Sequence, residues 1–169
     1  MVTRMSPASF ACLGLLLCAA LHAFDAHGSG LRALRITAGD TPVIDGALDD
    51  PAWRRAPVYQ DFHKHQPRDG APAPGALKTS VQVLVDDGAL VFGIRAWDDA
   101  PHLRRGLLAR RDKVGVDQDF IGIWIDPAGH GRNAQFVRIN TTGVVSDGIH
   151  RAEDDESDLG PDFPVETAV

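Results

Sequence analysis

Ser80-Val81-Gln82-Val83-Leu84-Val85-Asp86-Asp87-Gly88-Ala89-Leu90-Val91-Phe92-Gly93-Ile94-Arg95-Ala96-Trp97 is two alternating runs closed by a turn. Val81, Val83 and Val85 share one face of the first run. Leu90, Phe92, Ile94 and Ala96 share one face of the second, with Val91, Gly93, Arg95 and Trp97 on the other. A period of two on both sides of Asp86-Asp87-Gly88 predicts an antiparallel hairpin. The same pattern recurs downstream. Phe120–Asp126 sets Ile121, Ile123 and Ile125 against Phe120, Gly122 and Trp124. A Gly-rich turn, PAGHGRN, follows. Gln135–Asn140 then sets Val137 and Ile139 against Phe136, Arg138 and Asn140, and a further short strand runs from Gly143 to Ile149. Several short strands between turn signals predict an all-β, two-sheet antiparallel sandwich. The aliphatic rows are expected to mark its core side.

Upstream of the hairpin, Thr41–Gly46 reads as a short apolar strand ending in a turn. Asp49-Asp50-Pro51-Ala52-Trp53 reads as a helical turn with an Asp cap, Pro at the first helical position and Trp53 as an apolar plug. Residues 66–76 form a Pro/Gly-rich loop, and 102–112 (HLRRGLLARRD) a short helix or an irregular crossing with its arginines in solvent. The tail from Arg151 to Val169 is acidic and is expected to lack regular structure.

The N-terminus predicts export. Arg4 precedes an apolar run, Phe10–Ala20, which is shorter than the ~20 residues of a membrane span and suits a signal peptide. The chain divides into a signal peptide (1–23), a flexible lead-in (24–33), a β-domain (34–150) and the tail. The predicted location is the periplasm or outer membrane, with the signal cleaved after Ala23 or Gly28. Both cysteines, Cys12 and Cys18, lie in the signal, so the mature domain is expected to have no disulfide and no thiolate chemistry. The formal charge is -6, and becomes -7 once Arg4 leaves with residues 1–23. That balance argues against nucleic-acid binding, which requires basic groups to neutralise phosphates.

Four blocks carry a resemblance: TPVIDGALDDPAW, IRAWDDAP, RRDKVGVDQDFIGIWID and AQFVRINTTGVVSDG. In order and spacing they resemble family 9 carbohydrate-binding modules, over roughly Pro42 to Val165. The nearest subset stands at the N-terminus of bacterial envelope proteins that end in a predicted β-barrel of unknown function. The resemblance implies a jelly-roll sandwich continuing beyond Val169, so that the domain here is C-terminally incomplete. It implies polysaccharide or oligosaccharide binding, a role in carbohydrate catabolism and, often, structural calcium. Sugar-binding members carry a Trp where this chain has Val116, and a second Trp in final strands that would lie past Val169.

The candidate ligand residues are Trp97, Trp124, Arg138, Phe136 and Gln135. Trp97 and Trp124 lie opposite the aliphatic rows, where an indole offers a flat stacking surface for a pyranose ring or is simply covered by further strands. Arg138 matches the family arginine that contacts ligand; otherwise it pairs with Asp119 or Asp126. Two indoles and two guanidiniums, with Arg95 the second, are expected on one sheet face. Asp98, Asp99, Asp117 and Asp119 are candidate calcium ligands from separate loops. His63 and His65 have no third zinc partner in sequence and read as exposed. Asn140-Thr141-Thr142 fits a glycosylation sequon. No nucleophile elbow, phosphate loop or metal triad is present, so a non-catalytic module is expected. The alternatives are a structural periplasmic domain packing on an outer-membrane β-barrel of the same full-length chain, and a hydrolase fragment.

Overall fold

The computed structural model describes residues 30–65 and 70–169. The signal segment, most of the lead-in and residues 66–69 of the Pro/Gly loop lie outside them. Residues 31–169 form one unit, and it is built of strands: β1 (Ala33–Arg35), β2 (His63–Lys64), β3 (Ala71–Pro72), β4 (Thr79–Val85), β5 (Leu90–Ala96), β6 (Phe120–Ile125), β7 (Asn133–Asn140), β8 (Val145–Arg151) and β9 (Glu156–Asp158). Among the described residues one short α-helix, α1 (Pro51–Arg55), and three single 3-10 turns join them. The strands form a three-stranded sheet ordered β1-β4-β5, a ribbon of β2 and β3, and a four-stranded sheet ordered β6-β7-β8-β9. The fold is all-β, as the alternation predicts.

The hairpin forms in the expected register, with Val81 opposite Ile94, Val83 opposite Phe92 and Val85 opposite Leu90. Its turn is tied by Asp86, whose Oδ1 accepts the N–H groups of Gly88 at 2.7 Å and Ala89 at 2.8 Å. Those bonds, Gly88 first, hold the Asp86 carboxyl below its ordinary value of 3.8. The β6–β7 turn uses the same device. Asp126 accepts from Ala128, Gly129 and Gly131, and its carboxyl is likewise lowered from 3.8, chiefly by Gly131. Gly129 and Gly131 sit at φ of 65° and 66°, where a side chain is strained.

A pH dependence follows. Carboxyls depressed by folding contribute stability above their unfolded value and lose it as pH falls through the folded value. The melting temperature is expected to drop as pH falls below about 4, through the lowered folded-state values of these carboxyls. An Asp86→Asn/Asp126→Asn variant should start lower at neutral pH and lose less over that interval. Identical acid profiles for parent and variant would contradict the role given to these turns.

Three expectations are corrected. β1 pairs with β4 in parallel, so the sheets are not wholly antiparallel. The connection from β1 to β4 is long enough to carry α1, which is what a parallel crossover requires. The stretch 41–46 is not a strand; Asp45 instead accepts the Ala47 N–H, and Gly46 turns at φ 87°. Asp50 occupies the cap position of α1 without a side-chain cap bond, the Trp53 N–H bonding the Asp50 carbonyl instead.

The core also sits differently. Its cluster is Ile36, Ala52, Trp53, Ala56 and Leu84, with Leu34, Leu48 and Val91 packed around it. Leu84 and Val91 lie on the face opposite Val81, Val83 and Val85. β4 is the central strand, so Val81 and Val83 are buried as well. The isoleucine row of β6 and the pair Val137 and Ile139 of β7 are only half-buried, whereas Phe136, on the other face of β7, is fully buried.

The tail is not structureless. It completes β8, forms β9 against it, and then returns: the Phe163 N–H donates to Asp147 Oδ2 at 2.7 Å. Arg111 donates to Asp147 Oδ1 at 2.6 Å and to Asp162 at 3.1 Å. Stretch 102–112 is irregular after a turn at Pro101–Leu103. Arg111 is thus a clamp between this crossing and the tail rather than part of a solvated face.

Candidate functional site

The register of β6 on β7 sets Gly122 opposite Arg138, Trp124 opposite Phe136 and Phe120 opposite Asn140. Period-two alternation places these side chains on one face of the four-stranded sheet. Gly122 leaves room that the Trp124 ring fills, since a Cβ there would collide with the indole. The indole stacks on Phe136, with centroids 6.2 Å apart and planes inclined by 27°. Phe136 is fully buried beneath it, while Trp124 remains 45% exposed. One face of the indole is fixed by packing and the residue still offers surface to solvent.

Arg138 completes the group. Its guanidinium carbon lies 5.0 Å from the Phe136 ring centroid, 5.5 Å from Trp124 and 5.6 Å from Phe120. Three rings within ~6 Å of one guanidinium is a cation–π arrangement. The salt bridge considered for Arg138 is not formed. Asp119 Oδ2 accepts the Arg105 N–H at 2.8 Å, and Asp126 is occupied by its own turn. Arg138 Nε is buried with no hydrogen-bond partner.

The other candidates are placed elsewhere. Trp97 follows β5, in the three-stranded sheet, where its N–H extends the pairing to the Lys78 carbonyl. It is 41% exposed, with Lys78 Nζ 5.4 Å and the Arg95 guanidinium 6.0 Å from its ring. Trp97 and Arg95 therefore belong to one sheet, and Trp124 and Arg138 to another. The expectation of a single sheet face carrying all four is corrected. It failed because strand order and sheet membership are not encoded in alternation. Gln135 pairs with Ile125 and Ile149 and lies on the face opposite Phe136, outside the Trp124 group.

The acidic candidates are dispersed in their roles. Asp98 Oδ1 accepts the Ala100 N–H, and its Oδ2 accepts Arg104 Nε. The Ala100 bond is the main cause of a carboxyl held below 3.8. Asp119 ties down residue 105. Asp99 and Asp117 have no such bond among the described residues. No group of three or more His, Cys, Asp or Glu gathers to hold a metal among the described residues. Val116 is 90% exposed. Asn140 is buried: its Nδ2 donates to the Leu107 carbonyl at 2.9 Å and to Gln118 Oε1 at 2.7 Å. As folded, it is not open to glycosylation.

Sequence reasoning missed the polar centre of this sheet. Gln118, Asn140, Ser146 and Asp147 are all buried. They hold the 105–114 crossing through the Leu107 and Lys113 carbonyls, the Val114 N–H and Arg111. Polar residues on β-strands carry no signal distinguishing a buried network from a wet face. Comparison with protein-family models, with curated proteins and with solved structures gives no match.

Proposed function

We propose that this chain is a non-catalytic carbohydrate-binding domain of an exported envelope protein, a sandwich-type module like those of family 9, whose ligand is a polysaccharide or oligosaccharide. The observation that carries the reading is the exposed Trp124 indole, backed by Phe136 and flanked by Arg138. Such a surface suits a pyranose ring: the ring's apolar C–H face stacks on the indole and a neighbouring donor takes its hydroxyls. Aromatic anchors of this kind dominate binding energies when packed rigidly.

Calorimetric titration of the full chain with xylan and cello-oligosaccharides tests the proposal. Trp124→Ala and Arg138→Ala are each expected to weaken binding roughly tenfold, or about 1.4 kcal/mol. Equal affinity for parent and variants would remove this face. Calcium is part of the same reading. Asp99 and Asp117 carry the carboxylates most free to take an ion. A melting temperature unchanged between millimolar calcium and EDTA would remove that part of it.

A second reading is favoured by a different surface. Leu103, Leu107, Leu108 and Val116 are all exposed along the crossing that precedes β6, Leu108 to 89%. Apolar side chains gathered in one exposed segment mark contact surfaces, and this one suits a structural domain packing on an outer-membrane β-barrel. Absence of glycan binding by a folded parent would make this the better account.

A further inference from the structure

We infer that the Arg138 cradle takes the carboxylate of an acidic sugar, a uronic-acid unit, in preference to a neutral one. The inference rests on the reading of Trp124 as a sugar platform and names the class of sugar. Four observations carry it. Arg138 is the cation of the site, and among the described residues no carboxylate pairs with it. The carboxylates considered for it are engaged elsewhere: Asp119 Oδ2 accepts the Arg105 N–H and both Asp126 oxygens accept turn N–H groups, while Asp147 is held by Arg111 and the Phe163 N–H. Arg138 Nε is sealed from solvent without an acceptor, so the terminal nitrogens are the donors left to meet a ligand. The surrounding Phe120, Trp124 and Phe136 rings supply no acceptor oxygen.

A guanidinium held this way is short of an anion. Rings stabilise a cation through their faces but leave its N–H groups unsatisfied. A planar carboxylate is the group whose geometry matches a guanidinium edge, by two parallel charge-assisted bonds. A neutral hydroxyl pair satisfies the same donors with about half the strength. In a uronic acid the carboxylate projects from the ring edge. A pyranose stacked on Trp124 can therefore present that edge to a neighbouring group while its C–H face stays on the indole. The chain's net charge of -6 opposes an anionic polymer at long range. Selection must then arise from contact, and a short oligomer is the proper probe.

The test is calorimetric titration of the full chain with tri-galacturonate and with xylotriose at equal ionic strength. The expected result is at least tenfold tighter binding of tri-galacturonate, with the ratio falling close to one in Arg138→Gln. Should that variant fail to fold, the parent's ratio still decides, and Arg138→Lys is expected to keep only part of the preference. Equal binding of both trimers by the parent overturns the inference while leaving the sugar platform standing. A preference that survives in folded Arg138→Gln overturns it too, since the selectivity would then lie elsewhere. Binding of neither trimer overturns this inference, and the platform reading falls with it when cello-oligosaccharides also fail to bind.

Discussion

Trp53→Ala is expected to lower unfolding stability by about 3–5 kcal/mol, the range for emptying a buried Trp site. Trp53 is only 4% exposed and sits at the centre of the cluster of Ile36, Ala52, Ala56 and Leu84. Its ring lies on Gly93 of β5: a Cβ there would stand 2.8 Å from Cζ3. α1 thus closes this side of the three-stranded sheet by a knob on a glycine, with Leu48 packed beside it. Urea unfolding followed by circular dichroism reads the effect as a fall in midpoint. Two companion variants sharpen it. Trp53→Phe should cost less than Trp53→Ala, because it keeps most of the ring and removes an indole N–H that is buried without a partner. Gly93→Ala should cost about 1–3 kcal/mol, since it forces the indole out of its seat. A Trp53→Ala variant as stable as the parent would mean that the core lies elsewhere.

The second large effect is expected at Asp147. Its side chain is fully buried, and its two oxygens accept from Arg111 and from the Phe163 N–H. Its own N–H donates to Asp112, which is held at φ 64°. Removing the carboxylate leaves the Phe163 N–H without its acceptor and takes one acceptor from Arg111, which keeps its bond to Asp162. Arg111 is 41% exposed and regains water, so the loss falls short of that for a wholly buried pair. Asp147→Ala is expected to cost about 2–3 kcal/mol. The loss should be local as well as global. Hydrogen exchange at the Phe163 amide should accelerate more than at β7 amides, because Asp147 joins the returning tail to β8. Unchanged protection at Phe163 would contradict the clamp. Arg111→Ala should cost less, because Asp147 keeps its bond from Phe163.

Strand identity was legible wherever the alternation was strong. β4, β5, β6 and β7 lie where Val81–Val85, Leu90–Ala96, Ile121–Ile125 and Val137–Ile139 place them. The turns were legible too, because Asp86 and Asp126 with their glycines have a local mechanism. The burial of each face was not. Alternation states that a strand has two faces; it does not state which neighbour covers each one. Leu84 and Phe136 are fully buried on the faces taken to be outer. α1 and Ile36 cover the first, while Trp124 folds back over Gly122 to stack on the second. The polar network around Asn140 and Asp147 was illegible for a related reason. Its partners, Leu107, Gln118, Arg111 and Phe163, are 16 to 36 positions away in sequence. At the candidate site, Trp124, Phe136 and Arg138 were found together because they share two adjacent strands. Trp97 was grouped with them only because sheet membership could not be seen.

The most direct test of the sugar-platform account is the indole region of a two-dimensional nitrogen–proton spectrum, recorded as an oligosaccharide is added. The chain has three tryptophans, in three distinct settings: Trp53 buried, Trp97 exposed beside Lys78 and Arg95, and Trp124 exposed on Phe136. Assignment by the three single Trp→Phe variants identifies each signal. The account predicts a saturable shift of the Trp124 indole resonance, with Trp53 and Trp97 unmoved. A shift confined to Trp97, or no saturable shift in any indole across xylan-derived, cellulose-derived and uronate-containing oligomers, would contradict it.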